Sequence, residues 1–150
     1  MFKKNLIIQD GFKDCGPACL LMLVKHYKGN INIEKLKEMC KNDKTGTTAY
    51  DLINAAKECG FEANGMKAKL EDLTIDNILL PFIAHVTINN SYNHYVVIYK
   101  IDFKREKLLV ADPALGYRKY SFDEFREIYN EVLILLYPAK NILCEEKLSN

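Results

Sequence analysis

Several things are missing from this 150-residue chain. No apolar run approaches the roughly 18 residues needed to span a bilayer, so no membrane-crossing helix is expected. No apolar segment with a cleavage site opens it, so a secretory signal is not expected either. No Cys-x-x-Cys pair occurs among Cys15, Cys19, Cys40, Cys59 and Cys144, and the count is odd. That argues against a disulfide framework and against a short-spaced zinc site; reduced thiols in a cytosolic compartment fit. No basic run stands out either. The 21 basic and 20 acidic residues leave a net charge of +1, which gives no electrostatic footprint for nucleic acid.

What is present is globular. Apolar residues make up 49% and charged residues 27%, values that argue against disorder. The length suits one domain with a real core. The informative stretch is 9–18, Gln-Asp-Gly-Phe-Lys-Asp-Cys-Gly-Pro-Ala. Asp14 is a residue type that caps helices by accepting N–H groups of the first turn. Gly16 and Pro17 follow, and proline suits a first turn because its missing N–H costs nothing there. The apolar run 18–24 then predicts a buried helix with Cys15 at its mouth. The positive end of the helix dipole favours thiolate over thiol at that position. Gln9, six residues upstream, is near enough to fold back. Its side-chain amide and the Cys15 backbone N–H could together hold a developing oxyanion. The bland alternative is a small buried cysteine in an ordinary capped helix.

Along the chain, helices are expected over 15–28 with Gly29 as the stop, over 33–41, and over 48–59 with Gly60 as the stop. Strands are expected over 61–68, 79–88, 94–101, 108–111, 117–120 and 132–137, with a polar turn at 89–93. Leu70 to Leu73 reads as a helical turn. Ser121 and Glu124 read as a capping box for a short helix. Helices first and antiparallel strands afterwards predict an α+β fold, a helical lobe against a sheet lobe.

A cysteine nucleophile needs a base, and the base needs an orienting group. His94 opens a strand after a polar turn and is the preferred base. His85 lies mid-strand and reads as packed in place, and His26 closes the first helix as a structural residue. Asp112 stands 18 residues beyond His94, one hairpin away, where a carboxylate can fix the imidazole tautomer and stabilise the imidazolium. The alternative for Asp112 is a turn opener, since Asp-Pro commonly starts turns.

These residues resemble a known family. Gln9, Asp14-Cys15-Gly16, Ala18, Leu20, Met22 and Tyr27 are similar to the N-terminal signature of the double-glycine leader peptidase domains. Those are papain-like cysteine proteases at the N-terminus of bacteriocin-exporting and peptide-exporting ABC transporters. His94-Tyr95-Val96-Val97 resembles the family's histidine motif and Asp112-Pro113 its aspartate motif. Gly46-Thr47-Thr48, Ala55-Ala56 and Gly60-Phe61 also fit, so the likeness runs over 6–137.

The resemblance implies a papain-like fold over 1–138, with 139–150 as a polar tail or linker toward a transmembrane region. It implies catalytic Cys15, His94, Asp112 and Gln9, no cofactor and no metal. The implied partner is a precursor peptide with a Gly-Gly leader. The implied setting is the cytoplasmic side of the cell membrane, fused to the transmembrane and ATP-binding domains of an exporter. Glycine offers no side chain to grip, so affinity must come from elsewhere in the leader. A hydrophobic groove around Tyr50, Ile53, Phe61 and Met66 is the expected place. The alternatives are a non-catalytic peptide-docking domain, another papain-like amidase or transglutaminase, and a metal site using Cys15 and Cys19.

Overall fold

The structure is a computed structural model, and it describes residues 5–11, 13–139 and 141–145. Three helices come first: α1 (Cys15–His26), α2 (Ile33–Met39) and α3 (Ala49–Glu58). The strands are β1 (Phe61–Lys67), β2 (Phe82–Ile88), β3 (Tyr92–Asp102), β4 (Lys107–Asp112), β5 (Gly116–Ser121) and β6 (Tyr129–Pro138). The short α4 (Phe122–Arg126) precedes β6, and a 3-10 turn spans Leu70–Asp72. The six strands form one antiparallel sheet in the order β1-β6-β2-β3-β4-β5.

Strand periodicity divides the core between the two faces of this sheet. Ile83, Val97, Tyr99, Ala111, Ile134 and Leu136 pack with the helices. Ala84, Val86, Val96, Ile98, Val110 and Leu133 pack on the other side with Phe122, Phe125 and Tyr129. Helix α1 is buried from Cys15 to Val24, which explains why apolar residues occur all round it. Local signals do what they should elsewhere. Asn32 and Thr48 accept backbone N–H groups at the starts of α2 and α3, and Ser121 with Glu124 closes a full capping box.

Three of the differences from the expected boundaries have a plain local cause. Helix α1 stops at His26, because Lys28 takes the left-handed conformation (φ 68) and the Gly29 N–H closes onto the Val24 carbonyl at 2.8 Å. Strand β3 begins at Tyr92, two residues early. Asn89 (φ 53) and Asn90 (φ 62) take the left-handed conformation in a three-residue connection, 89–91. In it the Ser91 N–H donates to Ile88 O at 3.2 Å, leaving Ile88 paired with Tyr92.

The third difference is the segment expected as a polar tail. Its described part is laid along the helical side. The Leu143 N–H donates to Cys59 O at 2.9 Å, the Asn30 N–H to Leu143 O at 3.0 Å and the Glu145 N–H to Asn30 O at 2.8 Å. Lys35 and Glu145 form an ion pair beside it, and Ile142 and Leu143 pack against the core. Apolar side chains at 142 and 143 give this segment something to bury, which a net polar composition concealed. Among the described residues no helix is long and apolar enough to cross a membrane.

Candidate active site

Cys15 is the first residue of α1 and is 7% exposed. Asp14 sits in the N-cap position, but its side chain makes no cap hydrogen bond. Its backbone (φ −95, ψ 13) is not the extended conformation that turns a cap side chain back over the first N–H groups. The carboxylate instead secures the preceding loop. Oδ1 accepts from Asn42 Nδ2 at 2.8 Å, and Oδ2 accepts the Gly11 N–H at 3.2 Å and pairs with Lys37 at 3.1 Å. Asn42 in turn accepts the Thr47 hydroxyl at 2.6 Å. Asp14 thus ties the loop before Cys15 to α2 and to the 42–47 loop.

His94 and Asp112 come from adjacent strands. Val97 pairs with Ala111, which brings the end of β4 beside the start of β3. His94 Nε2 lies 2.7 Å from Asp112 Oδ1, with both side chains 1% exposed. Asp112 Oδ1 also accepts the Ala114 N–H at 2.8 Å, so the Asp-Pro turn and the imidazole share one carboxylate. The ring's Nδ1 is buried and takes no hydrogen bond of ordinary geometry. The Cys15 thiol stands beside the ring, within reach to favour the imidazolium. Burial pulls the His94 pKa down. The hydrogen bond to Asp112 and the neighbouring Cys15 sulfur, with the negative charges of both, outweigh it and raise the pKa to about 9. An imidazolium beside a helix-terminal thiol is the electrostatic setting of a reactive cysteine.

The other thiols lie in different surroundings. Cys19 is fully buried, and burial followed by the nearby Cys15 and Asp112 charges pushes its pKa well up. Burial raises Cys40 to about 12 and Cys59 to about 11. His26 lies at the other end of α1, edge-on to Tyr27. His85 accepts a hydrogen bond from Asn130 Nδ2 on its Nδ1 at 2.8 Å, and burial lowers its pKa.

Gln9 is brought to the same place. Its backbone N–H donates to Pro113 O at 2.8 Å, next to Asp112. Its side-chain Nε2 donates to Gly11 O at 2.7 Å, and the carboxamide lies near the Tyr92 phenol. Gln9 is therefore anchored beside Asp112, with its amide engaged by the protein.

The residues expected to bind substrate are not gathered into one groove. Tyr50 is 74% exposed, and Ile53 is half-buried against the Gly65 backbone. Phe61 belongs to the core, 3% exposed and edge-on to Tyr27 at 5.7 Å, so it offers no surface. Met66 pairs with Leu133, whose side chain lies in the core on the other side of the sheet. Alternation thus turns Met66 away from α3.

Among the described residues, two concavities adjoin His85 and Tyr95 instead. A cleft of about 380 Å³ is lined by Cys15, Gly46, Thr47, His85, Tyr92 and Tyr95. An apolar groove of about 230 Å³ is lined by Ala49, Ile83, His85, Tyr95, Val132 and Ile134, and it shares His85 and Tyr95 with the cleft. Sequence reasoning missed Tyr92, His85 and Val132. For Tyr92 the signal was available, since strand period two puts residue 92 on the face of residue 94.

A cysteine opening a central helix, with histidine and aspartate on adjoining strands in the order Cys, His, Asp, belongs with the papain-like cysteine peptidases. Residues 3–141 match the peptidase C39 family, and the chain belongs to it. It is 38% identical over 135 residues to the lactococcin-G-processing and transport ATP-binding protein LagD of Lactococcus lactis subsp. lactis, covering 90% of this chain and 19% of that protein. It therefore spans about a fifth of the length of the curated transport proteins it resembles. Among solved structures it is similar to the peptidase domain of Streptococcus ComA, a bi-functional ABC transporter involved in a quorum sensing pathway. The TM-score is 0.84 at 34% identity, over 92% of this chain and 99% of that one. It is also similar to a double glycine motif protease from an AMS/PCAT transporter, solved in complex with the leader peptide. Here the TM-score is 0.80 at 27% identity, over 89% and 90% of the two chains.

Proposed function

We propose that this chain removes a double-glycine type leader from a bacteriocin or other peptide precursor before or during its export. It does so as the peptidase domain of an ABC transporter, on the cytoplasmic side of the membrane. The single observation that carries the catalytic reading is the buried contact of His94 Nε2 with Asp112 Oδ1 at 2.7 Å beside the Cys15 thiol. Membership of the C39 family and the likeness to processing transporters support the substrate class.

In this reading the Cys15 thiolate attacks the carbonyl carbon of the second glycine. The carbonyl oxygen becomes an oxyanion held by the Cys15 N–H and the Gln9 amide. To reach it, Gln9 exchanges one of its present acceptors for the oxyanion. The carbon–nitrogen bond breaks as His94 gives its proton to the leaving amine, leaving a thioester. Water then attacks, His94 takes its proton, and the leader leaves as a carboxylic acid. Asp112 keeps the ring in one tautomer and supports its charge.

In this reading the cleft lined by Tyr92, Tyr95 and Thr47 selects the Gly-Gly pair by excluding a Cβ next to Cys15. The apolar groove that shares Tyr95 and His85 with the cleft is the place for the apolar face of a leader helix. The test is Cys15→Ala with a synthetic amphipathic leader ending in Gly-Gly. Cleavage by the parent chain and none by the variant, with unchanged circular dichroism, is the expected result. Turnover retained by a folded variant overturns the assignment.

A further inference from the structure

Tyr92 lies on β3 two residues from His94, so the two side chains stand on the same face of the strand. Their rings are stacked, with centroids 5.1 Å apart and planes 29° from parallel. Tyr92 also lines the cleft with Cys15, and the Gln9 carboxamide lies near enough to its phenol to work against burial and favour the phenolate.

Both partners need such a restraint. The contact of Nε2 with Asp112 fixes one end of the imidazole but leaves the ring able to swivel about that contact. A flat ring against its face keeps Nδ1 turned toward the sulfur. Gln9 has a long, rotamer-rich side chain. Its Nε2 donates one N–H to Gly11 O at 2.7 Å, and the phenol oxygen of Tyr92 is placed to accept the other. The hold on this side chain is incomplete without Tyr92.

We propose that Tyr92 is a positioning residue that sets the base and the oxyanion donor relative to each other, its ring holding His94 and its hydroxyl holding Gln9. The proposal rests on the peptidase reading above and goes beyond it. The two functions sit on different parts of one side chain, so two substitutions separate them. Tyr92→Phe keeps the stacked ring and loses the hydroxyl; Tyr92→Leu loses both.

The experiment uses a synthetic amphipathic leader ending in Gly-Gly with a short polar extension, and iodoacetamide as a second probe. Tyr92→Phe should lower kcat about tenfold, the scale of one hydrogen bond. KM should barely change, and the pH profile of Cys15 alkylation should stay as in the parent. In a Gln9→Ala background the same change should cost nothing further, because the hydroxyl acts through Gln9. Tyr92→Leu should lower kcat further and displace the alkylation profile. A Tyr92→Phe chain as active as the parent overturns the proposal, as does an equal loss in the Gln9→Ala background. A Tyr92→Leu alkylation profile that coincides with the parent's also overturns it. Failure of the parent to cut the peptide sinks the peptidase reading instead, and the alkylation arm still decides the role of the ring.

Discussion

His94 Nε2 meets Asp112 Oδ1 at 2.7 Å in a site where each side chain is only 1% exposed. A carboxylate so buried is costly unless it is paired, and the imidazolium is its available counter-charge. His94 consequently holds its proton up to about 9, where an ordinary histidine loses it near 6.5. On the proposed mechanism the proton-bearing ring is both partner of the thiolate and donor to the leaving amine. The profile of kcat/KM should therefore stay high through neutral pH and fall as pH rises through about 9. The folded pKa is the raised one. The stability this proton contributes is thus complete below about 6.5 and lost as pH passes about 9. Thermal melts across that window should fall with pH.

Asp112→Asn separates charge from shape. The side-chain oxygen can still accept the Ala114 N–H, so the turn at Pro113 is retained. The imidazolium loses its counter-charge, and kcat should drop about 10²-fold or more. The alkaline limb should move below about 9, and melting should depend less on pH than in the parent. Full activity with an unmoved limb would remove Asp112 from the mechanism.

Five free thiols permit a direct count of reactivity. Cys15 sits beside the His94 imidazolium, and Cys144 is exposed, whereas Cys19, Cys40 and Cys59 are buried with raised pKa values. Brief native treatment with iodoacetamide should label Cys15 and Cys144 alone, as read by peptide mass mapping. Loss of cleavage should track Cys15. Labelling of Cys19 before unfolding would contradict its place in the core.

Gly29 concerns the segment after β6. A Cβ at this position would stand 2.5 Å from the Leu143 carbonyl oxygen and 2.7 Å from an Ile142 methyl. Backbone at that distance cannot simply swing aside. Gly29→Ala should displace the 141–145 segment and destabilise the chain by about 1–3 kcal/mol, the scale of overpacking. Denaturant unfolding reads this directly. Removing everything after Pro138 should also destabilise it, because Cys59 and Asn30 lose backbone partners. A truncated chain as stable as the parent would restore the boundary expected at residue 138.

The architecture was legible because local signals agreed with each other. Apolar residues all round α1, the Ser121–Glu124 box and the alternation in β3 each pointed to one structure. Cys15 and Asp112 stand at element ends and His94 follows a polar turn, where sequence marks a boundary, and the resemblance of their motifs joined the three. The Asp14 cap failed because composition gives a residue's aptitude, not its backbone angles, and the loop network took the carboxylate. The expected groove failed for a different reason. Phe61 and Met66 are both apolar, but their burial and facing follow from pairing with a strand some 70 residues away. No local pattern carries that register.

That register also builds the groove proposed for the leader and supplies its test. Ile83 and His85 on β2 pair with Ile134 and Val132 on β6, so the four form one patch beside Tyr95. Val132 is half-buried and belongs to neither core. Val132→Glu puts a charge into the groove without emptying a core site. If the leader's apolar face lies here, KM for an amphipathic Gly-Gly leader should rise about 10–100-fold, as expected for desolvating an unpaired charge at a cost of about 1.4–2.8 kcal/mol. The alkylation rate of Cys15 should not change, since its contacts are untouched. Replacing the leader's spaced apolar residues with alanine should raise KM for the parent. It should add little for Val132→Glu, because both changes act on one contact. Replacing either glycine with valine should stop turnover in both chains. A short peptide carrying only the Gly-Gly pair should be cut poorly and equally by both. If Val132→Glu left KM for the full leader unchanged, this groove would not be where the leader binds.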